Sequence, residues 1–429
     1  MLSLSTAPLK MLFATGALIT AASAMALDTA KPENEGFSSE RLQRLEQTLQ
    51  EKIDRQELAG AVTLLARHGK VVGFNTYGQQ DIASATPMTK DSIFHIYSMT
   101  KPITAVAMMI LYEEGKWLPS DPIDKYIPEF KNLKVYNGQN KDGSFILAAA
   151  THAPTMGELM SHTAGFSLGI PDLPLGKAYN EANLYESTAK VFIERLAKLP
   201  LAYQPGEHWE YSVSGDIMGT VIERLSGVPY AQFVEQRILQ PLGMKDTGFF
   251  VPEHKLPRLA TIYLPGTDTP LTPMPRSPNI STMPSFPSPG GGLYSTAEDY
   301  FKFAQMLLNQ GVLDKQRILA PSTVKLMTAN HLPDALRTGK FGIGPFQMQE
   351  GFGFGYNMGV YDEPVKAGSA TGAGTFLWIG AAGTWFWVDP TNDVIFIGLA
   401  QRWMLAPGMP NIEAVSRALV YQALVTPGK

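Results

Sequence analysis

His95-Ile96-Tyr97-Ser98-Met99-Thr100-Lys101-Pro102 is the stretch on which the reading of this chain turns. Residues 98–114 read as a helix with Ser98 at its mouth. Positions three apart lie about 60° from each other around a helix, so Ser98 and Lys101 share a face and can touch. A serine hydroxyl is a weak nucleophile until something takes its proton. A lysine drawn out of water gives up its own proton more readily and can take part. The helix N-terminus adds a positive end that favours an alkoxide. Pro102 falls within the first turn, where its missing N–H does little harm. S-x-x-K alone is a weak signal, because an N-cap serine beside a solvated lysine has the same spacing.

The rest of the chain narrows the choices. Its 429 residues suit one large domain or two packed lobes. Hydrophobic residues make up 45%, enough for a sizeable core, and the net charge of −4 comes with no basic stripe, which argues against nucleic acid. Cysteine is absent, which excludes disulfides, thiolate metal sites and a cysteine nucleophile. The seven histidines are scattered without HExxH or HxH spacing, so no metal is expected. No cofactor is expected either.

Residues 1–26 carry one charge, Lys10, then an apolar run from Met11 to Thr20, then small residues ending Ala24-Met25-Ala26. That is the layout of a cleavable secretory signal, and the apolar run falls short of the roughly 20 residues a membrane span needs. A periplasmic or secreted protein without stable membrane insertion after cleavage is expected.

Downstream, residues 38–56 read as an amphipathic helix with Leu42, Leu45, Leu49 and Ile53 on one face. Residues 60–78 read as a hairpin turning at His68-Gly69-Lys70. From the helix at 98–114 to about residue 250 the pattern is mostly helix and loop, with helices at 187–198, 214–226 and 230–239. Residues 252–289 hold ten prolines, too many for regular structure. A helix at 296–310 follows. Strands then appear at 374–380, 383–388 and 394–400, and a helix at 411–424 closes the chain. Strands therefore gather at the two ends. The economical arrangement pairs the N-terminal hairpin with the C-terminal strands in one antiparallel sheet, flanked by helices. Residues 27–95 and 290–429 would form this α/β lobe, and 96–289, with the Pro-rich loop 252–289, a mostly helical lobe. The cleft between the lobes is the natural place for a site.

The segment around Ser98 resembles the active-site segment of penicillin-recognising serine hydrolases, in particular class C β-lactamases and family VIII carboxylesterases. Further segments match in order. Leu159-Met160-Ser161-His162-Thr163-Ala164-Gly165 resembles the group's LLSHTSG run. Pro205-Gly206 followed by Tyr211-Ser212-Val213 resembles its tyrosine motif. Leu242-Gly243-Met244, Gly290-Gly291-Gly292-Leu293-Tyr294-Ser295-Thr296 and Met306-Leu307-Leu308-Asn309 also match. The resemblance covers residues 35 to 425 or thereabouts, and jointly these matches are highly specific.

The resemblance implies a β-lactamase-like fold of the α/β (α+β) class. It implies Ser98 as the nucleophile, Lys101 as the partner that orients it and shares its proton, and Tyr211 as general base. A tyrosine between donors can approach phenolate and so take the serine proton. The strand that carries K-T-G in lactamases corresponds to Trp378-Ile379-Gly380-Ala381, similar to the W-G-G variant of family VIII esterases, with Ile379 where a glycine is usual. An indole offers a flat apolar wall instead of an ammonium. Trp378 and Gly380 would therefore contact substrate, and neutral short-chain esters are favoured over anionic lactams. The backbone N–H groups of Ser98 and Ala381 would form the oxyanion hole. The expected partner is a small-molecule ester. A β-lactamase, a D-amino-acid peptidase, an acyltransferase or a silent ligand-binding relative are the alternatives.

Gly165-Phe166-Ser167-Leu168-Gly169 is a literal G-x-S-x-G, but Pro171 and Pro174 follow where a nucleophile elbow needs a helix. Ser167 is read as a bystander. His95, His162 and His208 are read as structural. The A-x-A site yields the first prediction: N-terminal sequencing of the protein from its native host should start near Leu27, and a mature chain retaining Met1 would refute export by cleavage.

Overall fold

The computed structural model describes residues 27–169, 175–266, 271–343, 346–403 and 411–426. The expected signal segment 1–26 lies outside them. So do Pro171 and Pro174.

Helix α1 (Ser39–Asp54) opens with the Ser38 side chain accepting from Arg41 N–H, and buries Leu42, Leu45 and Leu49. Strands β1 (Gly60–Arg67) and β2 (Lys70–Asp81) form the hairpin, and β3 (Thr86–Pro87) extends it. Helix α2 (Thr100–Glu113) follows a 3₁₀ turn, Tyr97–Met99. Helix α3 (Ser214–Ser226) and helix α4 (Ala297–Leu308) come next among the elements that frame the site. Strands β4 (Phe352–Phe354), β5 (Gly359–Tyr361), β6 (Thr375–Gly380), β7 (Thr384–Asp389) and β8 (Val394–Ala400) precede helix α5 (Ile412–Tyr421).

The eight strands make one antiparallel sheet in the order β4-β5-β6-β7-β8-β1-β2-β3. The two ends of the chain meet where β1 pairs with β8, Ala61 opposite Ala400 and Arg67 opposite Val394. β1, β7 and β8 are buried along their whole length, as expected of central strands covered on both faces. Alternation assigns the faces. Phe386 of β7 packs against Tyr300 of α4, ring centroids 4.9 Å apart, while its neighbour Trp385 donates from Nε1 to Ser416 Oγ of α5 at 3.1 Å. The terminal helices α1 and α5 thus lie on one face, and α4 on the other.

Three readings change. The helix expected over 98–114 begins at Thr100, because Tyr97 takes a left-handed φ of 42° and the chain enters through a 3₁₀ turn that contains Ser98. The stretch expected to be helix and loop also holds a hairpin, Lys134–Gln139 with Phe145–Ala149. Strands β4 and β5 are not expected from the sequence, since Gly353 in β4 and Gly359 in β5 weaken the apolar alternation of these three-residue runs. The Pro-rich segment forms loops, a 3₁₀ turn at Glu253–Arg258 and short two-residue bridges such as Tyr263–Leu264 with Thr272–Pro273. Among the described residues no helix is long and apolar enough to cross a membrane.

Gly398 of β8 lies under the Trp385 indole, so closely that a Cβ there would overlap the ring. Gly398→Ala should lower stability by about 1–3 kcal/mol through overpacking. An unchanged thermal midpoint would contradict this packing of α5 against the sheet.

Candidate active site

Ser98 is positioned from three sides. His95 pairs with Tyr294, Ile96 N–H donates to Leu293 O at 3.0 Å, and Thr384 Oγ1 donates to Ile96 O at 3.2 Å. Tyr300 Oη donates to Met99 O at 3.0 Å. The 3₁₀ turn is thus tied to the sheet by β7, to α4 and to the 290s loop. Its serine is half-buried.

Lys101 lies on the next turn, only 4% exposed. Its Nζ donates to Gly290 O at 2.6 Å and reaches Ser98 Oγ at 3.4 Å. The second contact is long for a hydrogen bond. Tyr211 enters from the loop before α3 and is 6% exposed. Lys101 Nζ stands 4.7 Å from the centroid of its ring. Trp378 Nε1 donates to Tyr211 Oη at 3.3 Å. The serine, lysine, tyrosine and tryptophan singled out in the sequence therefore form one contiguous cluster, although 280 positions separate Ser98 from Trp378.

Trp378 is 1% exposed and touches Phe346, Phe354 and Tyr211. The flat wall expected from the sequence is thus turned toward the tyrosine, with its N–H on the phenolic oxygen. The Ile379 departure leaves the register regular: Trp378 faces Phe386, Ile379 faces Trp385 and Gly380 faces Thr384. Gly380 fits its place because a Cβ would overlap Ile96 O and Thr384 Oγ1. The end of β6 thereby approaches the backbone leading into Ser98. Ala381 begins the turn just beyond.

His162 stacks on Tyr211 with centroids 5.0 Å apart. Ser212 N–H donates to its Nδ1 at 3.0 Å, so Nε2 carries the proton and donates to Asn357 Oδ1 at 2.9 Å. Burial, with the Lys101 charge adding, pushes His162 down to about 3. Burial also pushes His95 down to about 4, against the opposing pull of its bond to Gly291 O. Both are neutral near neutral pH and act as fixed hydrogen-bonding rings. His208 stacks on Tyr203 at 4.0 Å.

Ser167 is fully buried, with its Oγ placed against Gly169 N–H at 3.5 Å. No histidine bonds to it among the described residues. The nearby Glu210 carboxyl is buried, and burial raises its pKa. Sequence reasoning missed Asn357, which orients His162, and Asp216, which binds the Gly290 segment. A lone acid near the start of the otherwise apolar face of α3 was the available signal for Asp216. Among the described residues no group of His, Asp and Glu is arranged to hold a metal.

Residues 45–417 match the model of the Beta-lactamase family, and the chain belongs to it. It is 37% identical over 362 residues to Protein Rv1367c of Mycobacterium tuberculosis, covering 83% of this chain and 88% of that protein. It is 31% identical over 369 residues to Esterase EstB of Burkholderia gladioli, covering 81% and 86%. Among solved structures, EstCE1, described as a hydrolase with promiscuous acyltransferase activity, superposes with a TM-score of 0.74 at 25% identity, covering 89% of this chain and 99% of that one. The β-lactamase-like fold and the kinship with family VIII esterases agree with the motifs around Ser98, and the protein is a hydrolase of this family.

The neutral histidines give a pH prediction. Below about pH 6.5 the unfolded chain takes up a proton that folded His162 excludes until about 3. Stability is therefore full above pH 6.5 and declines on acidification, by about 2 kcal/mol from His162 at pH 5. The thermal midpoint, followed from pH 7.5 to pH 5, should fall, and His162→Gln should flatten the slope. An unaltered slope would contradict a buried neutral His162.

Proposed function

We propose that this chain is a serine carboxylesterase that hydrolyses short-chain acyl esters through an acyl-enzyme on Ser98. The observation that carries the reading is the placement of Lys101 Nζ at 3.4 Å from Ser98 Oγ, with Tyr211 held between Lys101 and the Trp378 indole. Ser98 Oγ attacks the ester carbonyl as its proton passes to the Lys101–Tyr211 unit. The backbone N–H groups of Ser98 and Ala381 receive the charge that gathers on the carbonyl oxygen. The alkoxide leaves with the transferred proton as an alcohol. Water, deprotonated by the same unit, then attacks the acyl carbonyl, and the unit returns that proton to Ser98 Oγ as the Oγ–acyl bond breaks and the acid is freed. The scheme calls for no cofactor. A periplasmic or secreted location is part of the proposal and rests on residues 1–26.

The preference for esters rests on Trp378. A lysine at that place would attract a ligand carboxylate. The indole N–H is engaged by Tyr211 Oη, so neither a charge nor a free donor is presented there. The kinship with Esterase EstB points the same way. Transfer of the acyl group to an alcohol instead of water is the second reading, because the same acyl-enzyme serves either acceptor and EstCE1 is described as doing both.

Ser98→Ala, Lys101→Ala and Tyr211→Phe should each lower kcat on a short p-nitrophenyl ester by more than about 10²-fold, and without adding. Ser167→Ala should keep kcat within a small factor. Wild type should turn over that ester far better than a cephalosporin. Near-normal kcat in Tyr211→Phe would remove Tyr211 from the unit, and a preference for the cephalosporin would replace the esterase reading with the lactamase one.

A further inference from the structure

We infer that Asp216 is a positioning residue for the Ser98–Lys101 pair, acting through the backbone of Gly290. The inference rests on the esterase reading above and extends it to a carboxylate that does not touch the reacting atoms.

Asp216 lies in the first turn of α3 and is 3% exposed. Three donors converge on it. Ser288 Oγ donates to Oδ1 at 2.6 Å, Gly290 N–H donates to Oδ1 at 3.0 Å, and Tyr185 Oη donates to Oδ2 at 2.9 Å. Among the described residues no lysine or arginine forms an ion pair with it. A buried carboxylate held only by neutral donors is costly unless the site is built for it.

What the carboxylate holds is the acceptor of the catalytic lysine. Gly290 gives its N–H to Asp216 and its C=O to Lys101 Nζ, at 2.6 Å. The preceding carbonyl, of Pro289, accepts from Thr104 Oγ1 at 2.7 Å. Lys101 and Thr104 are three residues apart on α2 and therefore take successive carbonyls of one strap. Tyr230 Oη, 2.7 Å from Thr104 Oγ1, closes that side. The fit leaves no slack. A Cβ on Gly290 would stand 2.5 Å from Asp216 Oδ2, and a Cβ on Gly215 would stand 3.0 Å from Lys101 Cε and 3.3 Å from Gly290 Cα.

The indirect arrangement has a chemical reason. A carboxylate bonded to Lys101 itself would draw Nζ into a tight ion pair and away from Ser98. With Gly290 between them, Asp216 places a fixed carbonyl beside Nζ and leaves the amine free to face Ser98 Oγ. Tyr185 completes the device. Its side chain is partly open to solvent, yet its hydroxyl reaches Asp216, and burial together with the carboxylate pushes its pKa well above the ordinary value. It therefore remains a donor and caps the carboxylate against water. Its ring rests on Phe192 and Phe286, at 5.6 and 6.0 Å.

The test compares wild type with Asp216→Asn and with the double variant Tyr185→Phe/Ser288→Ala, which removes two of the three donors and keeps the carboxylate. Kinetics on a short p-nitrophenyl ester give kcat and KM separately. Labelling by a fluorophosphonate, mapped to its peptide by mass spectrometry, gives the reactivity of Ser98. Asp216→Asn should lower kcat and the labelling rate together by about tenfold or more, with KM within about twofold, because misplacing a catalytic group slows the chemistry and spares binding. The double variant should lose about threefold or more in the same pattern. Wild-type kcat and labelling in Asp216→Asn would overturn the inference, as would a loss carried by KM alone. Should Asp216→Asn fail to fold, unchanged kcat in the folded double variant overturns it. Wild type that is not labelled at Ser98 would instead overturn the esterase reading itself.

Discussion

A buried amine must be given acceptors, and here that requirement organises the site. Lys101 is sealed between α2, α3 and the 290s loop, with Gly290 O as its short contact and Ser98 Oγ as its long one. Lysine is almost never fully buried unless it is paired. The glycines at 215 and 290 let backbone approach the side chain closely enough to serve it. The strap at Ser288–Leu293 is in turn fastened to α2 by Thr104 and Thr100, and to α3 by Asp216. Ser98 itself is only half-buried, beside the buried Lys101.

The sheet supplies the opposite wall for the same reason of close approach. Pairing of β6 with β5 ends at Leu377 opposite Gly359, while pairing with β7 continues to Gly380 opposite Thr384. The last residues of β6 therefore leave one edge free of β5. Trp378 uses its indole to hold Tyr211, and the turn at Ala381 comes beside the entry to Ser98. Tyr211 is thus fixed by Lys101 Nζ over its ring, an indole N–H on its oxygen and a neutral imidazole against its face. None of these partners lies within 30 positions of it in the chain.

Much of this is legible in the sequence. The runs in β6, β7 and β8 are dense in Trp, Phe, Val and Ile, and the turn Asp389-Pro390-Thr391-Asn392-Asp393 separates two of them. α3 was readable to within a residue at each end. Ser98, Lys101 and Tyr211 stood out because local motifs carry them. Asp216 and Asn357 did not, since each acts through a partner far away in sequence, Gly290 in one case and His162 in the other. Strands β4 and β5 escaped because glycines erase the period-two signal there. The 3₁₀ entry to α2 escaped because the left-handed φ of Tyr97 is imposed by tertiary contacts at its neighbours, His95 and Ile96, and a tyrosine gives no local sign of it.

The proposed chemistry stands or falls on a covalent acyl group on Ser98. The direct measurement is the intact mass of the protein mixed rapidly with a short-chain ester and quenched in acid, followed by peptide mapping. The expected result is a mass increase equal to one acyl group, located on the peptide containing Ser98 and absent from Ser98→Ala. An acyl adduct on the peptide containing Ser167, or ester turnover that persists in Ser98→Ala, would contradict the account.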